Sequence, residues 1–148
     1  MMHRLMAHMV AYFPDREGSL EVARALADGG AAYLEVQFPF SDPSADGPAI
    51  QDACSSALKA GFRTADGFQL VREIGKASGV PVFIMAYAGM AFAGGVSRFL
   101  DTAKEHGAAG VIIPDLMPGM DEGLYLAAKD RELHAVPVLT PFTHQDRL

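Results

Sequence analysis

Two carboxylates eleven positions apart, Glu35 and Asp46, sit in settings that suit proton chemistry. Glu35 interrupts an apolar run, Tyr33-Leu-Glu-Val-Gln37, that has the length and composition of a buried strand. Side chains alternate along a strand, so Tyr33, Glu35 and Gln37 share one side while Leu34, Val36 and Phe38 share the other. An ionised carboxylate on such a strand is costly to desolvate unless a cation pairs with it or its pKa rises. No Arg or Lys lies near it in sequence, so a distant cation or a solvated strand end stands as the alternative. Asp46 follows in a loop, Pro39-Phe-Ser-Asp-Pro-Ser-Ala-Asp-Gly-Pro48, where Asp42 and Asp46 also fit as turn or cap residues. A buried acid with a raised pKa can hand over a proton, while a better-solvated one stays ionised and accepts a hydrogen bond. Glu35 and Asp46 are read as that pair.

Other reactive groups are few. Cys54 is the single cysteine, which excludes an intramolecular disulfide and a thiolate metal site and suits a reducing cytoplasm; it reads as a small apolar helix residue. His8 has no second His or Asp at ligand spacing, so no metal is expected, and it reads as a polar substitution in the core. His106 and His134 read as helix-end residues, and nothing assigns His144 a task. A Schiff-base aldolase or similar phosphate-handling barrel would want a lysine at a strand end, and none is found there. A net charge of −6 without any Lys/Arg cluster argues against nucleic acid or an anionic membrane as partner. No apolar run approaches the roughly 20 residues that span a bilayer.

The elements that must position these groups recur as one phrase: amphipathic helix, terminating glycine, short apolar strand. Strands are expected near Leu5–Val10, Tyr33–Gln37, Val82–Ala86, Val111–Ile113 and Val136–Thr140. Helices are expected over Leu20–Asp28, Phe68–Lys76, Phe99–Glu105 and Glu122–Lys129, the last without a closing glycine. Alternation of this kind means parallel strands, in an open doubly wound sheet or a barrel. The absence of Gly-x-Gly-x-x-Gly after the first strand favours the barrel. Successive strand centres are about 26 to 28 residues apart, except for about 49 between the second and third. The surplus is the Pro39–Pro48 loop and a helix-like Ile50–Ala60. Following a strand, it lies on the C-terminal face, where parallel α/β folds bind ligands.

The run Leu34-Glu-Val-Gln-Phe-Pro-Phe-Ser-Asp-Pro-Ser-Ala-Asp-Gly-Pro-Ala-Ile-Gln51 resembles the signature of the tryptophan synthase α subunit family. Met85-Ala-Tyr87 with Phe92, Pro114-Asp115 and Pro137–Thr140 resemble the family's third, fourth and fifth strand segments. The resemblance implies a single α/β domain over residues 1–148, part of a (β/α)8 TIM-type barrel: here about five β/α units. It implies a lyase of tryptophan biosynthesis, cleaving indole-3-glycerol phosphate to indole and glyceraldehyde 3-phosphate without a cofactor. Glu35 matches the glutamate that protonates the indole ring, and Asp46 matches the carboxylate that binds the indole N–H. Tyr87, Met85 and His8 fall on the substrate side, where the family commonly puts an apolar aromatic at the His8 position. Pro39, Asp42 and Asp115 fall on the contact surface with a β subunit, in an αββα-type complex.

The resemblance ends early. The family's helix before the first strand has no counterpart, Met117-Pro118 departs from the pattern after Asp115, and the sequence stops after Leu148, where the remaining strands and phosphate loops would follow. The expectation is an incomplete barrel, inactive as an isolated fragment. The alternative is a non-catalytic scaffold that keeps the β-subunit contact loop.

Overall fold

The computed structural model describes residues 4–117 and 119–143, so the readings placed on Pro118 and His144 lie outside the described residues. Five strands form one parallel sheet in the order β1 (Met6–Val10), β2 (Tyr33–Gln37), β3 (Val82–Met85), β4 (Gly110–Ile112) and β5 (His134–Val136). Between them run α1 (Arg16–Asp28), α2 (Pro48–Lys59), α3 (Thr64–Ser78), α4 (Ala88–Ala93), α5 (Val96–Glu105) and α6 (Leu124–Asp130). Strand order equals chain order, and each neighbouring pair is joined through at least one helix, as an incomplete β/α barrel requires.

The pleat separates the sheet into two faces with different tasks. Leu34, Val36, Ile84, Val111 and Ile113 point outward and form one core with Leu70, Val71 and Ile74 of α3, Leu100 of α5 and Leu124 of α6. The alternate residues, Tyr33, Phe83, Met85 and Ile112, cluster on the inner side. Asp15 caps α1 by accepting the Gly18 N–H at 2.7 Å, and Arg16 gives Glu73 of α3 a two-pronged ion pair at 2.7 and 2.8 Å. Pro48 opens α2, where its missing N–H costs nothing. α2 then folds back toward β1, so that Ala53 and Cys54 pack on Val10. The extra residues between β2 and β3 therefore close over one end of the sheet.

Three expectations need correction. The fifth strand is His134–Val136, so Val136–Thr140 is strand only at its first residue. The short route out of α6 starts the strand earlier: Glu132 adopts the left-handed conformation (φ 55°) that glycine supplies in the other units, and the chain enters β5 two residues later. His134 is consequently a strand residue rather than a helix-end one, with its ring stacked 6.3 Å from Phe83. Lastly, the single turn-and-a-half of α4, unforeseen because its Ala-Gly-Met-Ala-Phe-Ala run has no polar face, is held by Asp115, whose Oδ1 accepts the Ala88 N–H at 2.9 Å.

Gly110 shows how tightly the inner face closes. A Cβ there would collide with the His134 carbonyl and lie 2.8 Å from the Phe83 ring. Gly110→Ala is therefore expected to lower stability by about 1–3 kcal/mol. Gly75→Ala, mid-helix with its new methyl 3.9 Å from Val82, is expected to raise it by roughly 0.5–1 kcal/mol. Urea denaturation of both variants checks the contrast, and equal effects would contradict it.

Candidate active site

Glu35 occupies the centre of β2, level with His8 on β1 and Phe83 on β3. Its neighbours on the inner face are thus an imidazole on one side and a buried aromatic ring on the other. None of the ion pairs among the described residues involves Glu35, and no hydrogen bond to it is made by them. Burial pushes the carboxyl above its ordinary value of 4.5; the His8 charge opposes that shift, and the negative charge of Asp46 adds to it. The half-buried acid is thereby adjusted toward proton transfer rather than toward permanent ionisation.

Asp46 is treated in the opposite way. Its Oδ2 accepts the Gln37 side-chain N–H at 2.7 Å and the Tyr87 hydroxyl at 2.8 Å. The Tyr87 oxygen in turn accepts the Ala45 N–H at 3.0 Å, so the tyrosine ties the loop to the end of β3. Burial first, and the bond to Asp46 second, hold the Tyr87 phenol well above its usual range, which keeps it a donor. Phe40 stacks on the same ring at 5.2 Å, and Gln51 of α2 donates to the Asp46 carbonyl at 2.8 Å. Both side-chain donors use Oδ2, which leaves Oδ1 without a partner among the described residues. No described side-chain N or O is both buried and unpaired. Oδ1 and the Glu35 carboxylate therefore open to the inner side.

The expected residues separate into two groups. Glu35, Asp46, Tyr87, Met85 and His8 converge on the inner face: Met85 is packed beside Tyr87, and His8 bonds to Gln37. His8 is exposed there, so the reading of it as a core substitution is corrected; the sheet has no strand beyond β1 among the described residues to cover it. Pro39, Asp42 and Asp115 do not join this cluster. Pro39 is buried under the loop, Asp42 is exposed and accepts from Ser41 Oγ at 2.9 Å, and Asp115 is exposed and holds α4. The residue that sequence reading passed over is Gln37. Its signal was present, since it shares the Glu35 side of β2, but an amide there carries no mark of function until its partners are known. Cys54 lies 3.6 Å from the Gln37 amide nitrogen, and burial raises its thiol pKa, so it stays a protonated packing residue.

Among the described residues no group of three His, Cys, Asp or Glu is placed to hold a metal ion, and no helix is long and apolar enough to cross a membrane. The sequence profile of the family described as "Tryptophan synthase alpha chain" matches residues 2–148. The tryptophan synthase alpha chain of Helicobacter hepaticus is 40% identical over 144 residues, which cover 93% of this chain and 54% of that protein. A structure of tryptophan synthase from M. tuberculosis, in an aminoacrylate- and BRD0059-bound form, superposes with a TM-score of 0.91 at 30% identity, covering 97% of this chain and 57% of that one. A mutant tryptophan synthase alpha-subunit from Pyrococcus furiosus superposes with a TM-score of 0.89 at 33% identity, over 97% of this chain and 58% of that one. The chain spans about half the length of the relatives it matches.

Because burial favours the protonated form of Glu35, the folded state binds that proton more tightly than the unfolded chain does. Stability is then lost as pH rises from the ordinary value of 4.5 through the raised folded value. Glu35→Gln is expected to melt at a higher temperature than the parent at neutral pH, with the gap closing below that window. A thermal-melt series across pH checks this; a variant less stable than the parent at neutral pH would count against a desolvated carboxyl.

Proposed function

Since the chain belongs to the tryptophan synthase alpha chain family, we propose that it carries the acid–base half of an indole-3-glycerol phosphate lyase site. The observation that carries this reading is the unequal treatment of the two carboxylates: Glu35 desolvated without a cation, Asp46 fixed by two donors with Oδ1 left open. In the proposed reaction, Asp46 Oδ1 accepts the indole N–H and stabilises the cation that forms when Glu35 protonates the ring carbon bearing the glycerol chain. Loss of the adjacent hydroxyl proton then breaks the carbon–carbon bond. Its electron pair returns to the ring as indole, the hydroxyl carbon becomes the aldehyde of glyceraldehyde 3-phosphate, and Glu35 recovers a proton. The net change is transfer of one proton from the hydroxyl oxygen to the ring carbon, which needs no cofactor. Tyr87 and Met85 provide the apolar wall for the ring, and His8 lies on the open side.

The phosphate end is assigned to residues beyond those described, since barrels of this kind bind phosphate mainly through loops after strands seven and eight. On this reading the isolated 148-residue chain does not turn over. The exposed Asp42 loop, with Asp115 near it in function, is proposed as the surface that meets a β subunit, while buried Pro39 shapes that loop from beneath. A cytoplasmic setting fits such an enzyme.

The test joins residues 1–143 to the matching remainder of the Helicobacter hepaticus relative and measures indole release from indole-3-glycerol phosphate. Turnover by the hybrid is expected. Glu35→Gln should reduce kcat by about 100- to 10,000-fold, and Asp46→Asn by about 100- to 1,000-fold, both with native circular dichroism. Undiminished turnover in Glu35→Gln would refute the assignment.

A further inference from the structure

Gln37 is fully buried, and every hydrogen-bonding position of its amide except one acceptor lone pair is used. Its nitrogen donates to Asp46 Oδ2 at 2.7 Å and approaches Cys54 Sγ at 3.6 Å, while its oxygen lies 2.7 Å from His8 Nε2. A carboxylate only accepts, so the amide must present nitrogen to Asp46 and oxygen to His8. The oxygen also only accepts. Hence His8 Nε2 must carry a hydrogen, and the ring's acceptor in the neutral form is Nδ1.

We propose that Gln37 is a positioning residue for the acid–base pair: it orients Asp46 so that Oδ1 stays open to the site, and it fixes His8 as the Nε2–H form beside Glu35. The inference rests on the lyase reading for its catalytic consequence and on hydrogen bonding alone for its geometry. A positioned amide suits this place because it carries no charge. A lysine or arginine spanning Asp46 and the His8 side would place a cation near Glu35 and favour its ionised form. A glutamate would repel Asp46. Gln37 transmits orientation between β1, β2 and the loop while leaving the charge balance of the site to His8, Glu35 and Asp46. His8, the polar residue that sequence reading left without a task, thereby gains one: with Tyr87 it is an end of a chain His8–Gln37–Asp46–Tyr87 that spans β1 to β3.

Two measurements test this. In the 148-residue chain, long-range 1H–15N spectra of the imidazoles at about pH 8, above the usual histidine range, report the tautomer of His8. Nε2–H with a bare Nδ1 is expected, giving way to a mixture in Gln37→Met, which keeps the volume and removes the hydrogen bonds. In the lyase hybrid, Gln37→Met should lower kcat by roughly 10- to 100-fold, with KM little changed. A packing role alone would shift the melting temperature and leave tautomer and kcat untouched. Nδ1–H in the parent chain overturns the proposal even where the variant does not fold, and so does parental kcat in Gln37→Met. Full activity in Glu35→Gln together with the expected tautomer would sink the lyase assignment while sustaining the geometry assigned to Gln37.

Discussion

The whole arrangement depends on one unpaid desolvation: a carboxylate at position 35 taken partly out of water with no cation supplied. Elsewhere the chain pairs its charges readily, as Arg16 with Glu73 and Arg131 with Asp101, so ion pairing is not foreign to this fold. At Glu35 the neighbouring groups are instead Phe83, which excludes water, and His8, whose charge only partly offsets that exclusion. A group so placed is a liability to stability and an asset to proton transfer, and both follow from the same loss of hydration.

Holding Asp46 against that group requires the loop to be stiff, and the stiffness comes from three directions. Tyr87 fixes the carboxylate and the Ala45 N–H with one hydroxyl, Gln37 fixes the carboxylate from β2, and Gln51 fixes the backbone carbonyl from α2. Phe40 stacking on Tyr87 closes the apolar side. Because both side-chain donors meet at Oδ2, the loop is rigid without saturating the carboxylate. An acceptor remains for a substrate, and its direction is set before any ligand arrives, the condition under which an electrostatic contact costs least reorganisation.

Much of this was legible in the sequence because it rests on period and punctuation. The alternation in Tyr33–Gln37 placed Glu35 on the inner face, and the 49-residue interval located the loop and α2 on the ligand-binding side. What escaped had no local signature. The start of β5 depends on Glu132 adopting a glycine-like conformation, α4 depends on Asp115 reaching across from the neighbouring unit, and the role of Gln37 depends on partners twenty-nine residues before it and nine after. Each is a tertiary hydrogen bond or turn that overrides composition, and a scan of neighbouring residues has no access to it.

The same level of the sheet that carries Glu35 also sets how closely the strands wrap. Across it the residues run His8, Glu35, Phe83, Gly110, His134. Phe83 is large and inward, and the next position has no side chain, so the His134 carbonyl and ring can move in against Phe83. Alternating bulk and absence in one layer is how a barrel interior fills without voids. That choice bears on the chemistry: were Gly110 larger, β5 would be pushed away and Phe83 would lose a packing partner. The ring that keeps water from one side of Glu35 would then be less firmly held. The curvature of the sheet and the acidity of its central carboxyl are thus linked through a single aromatic side chain.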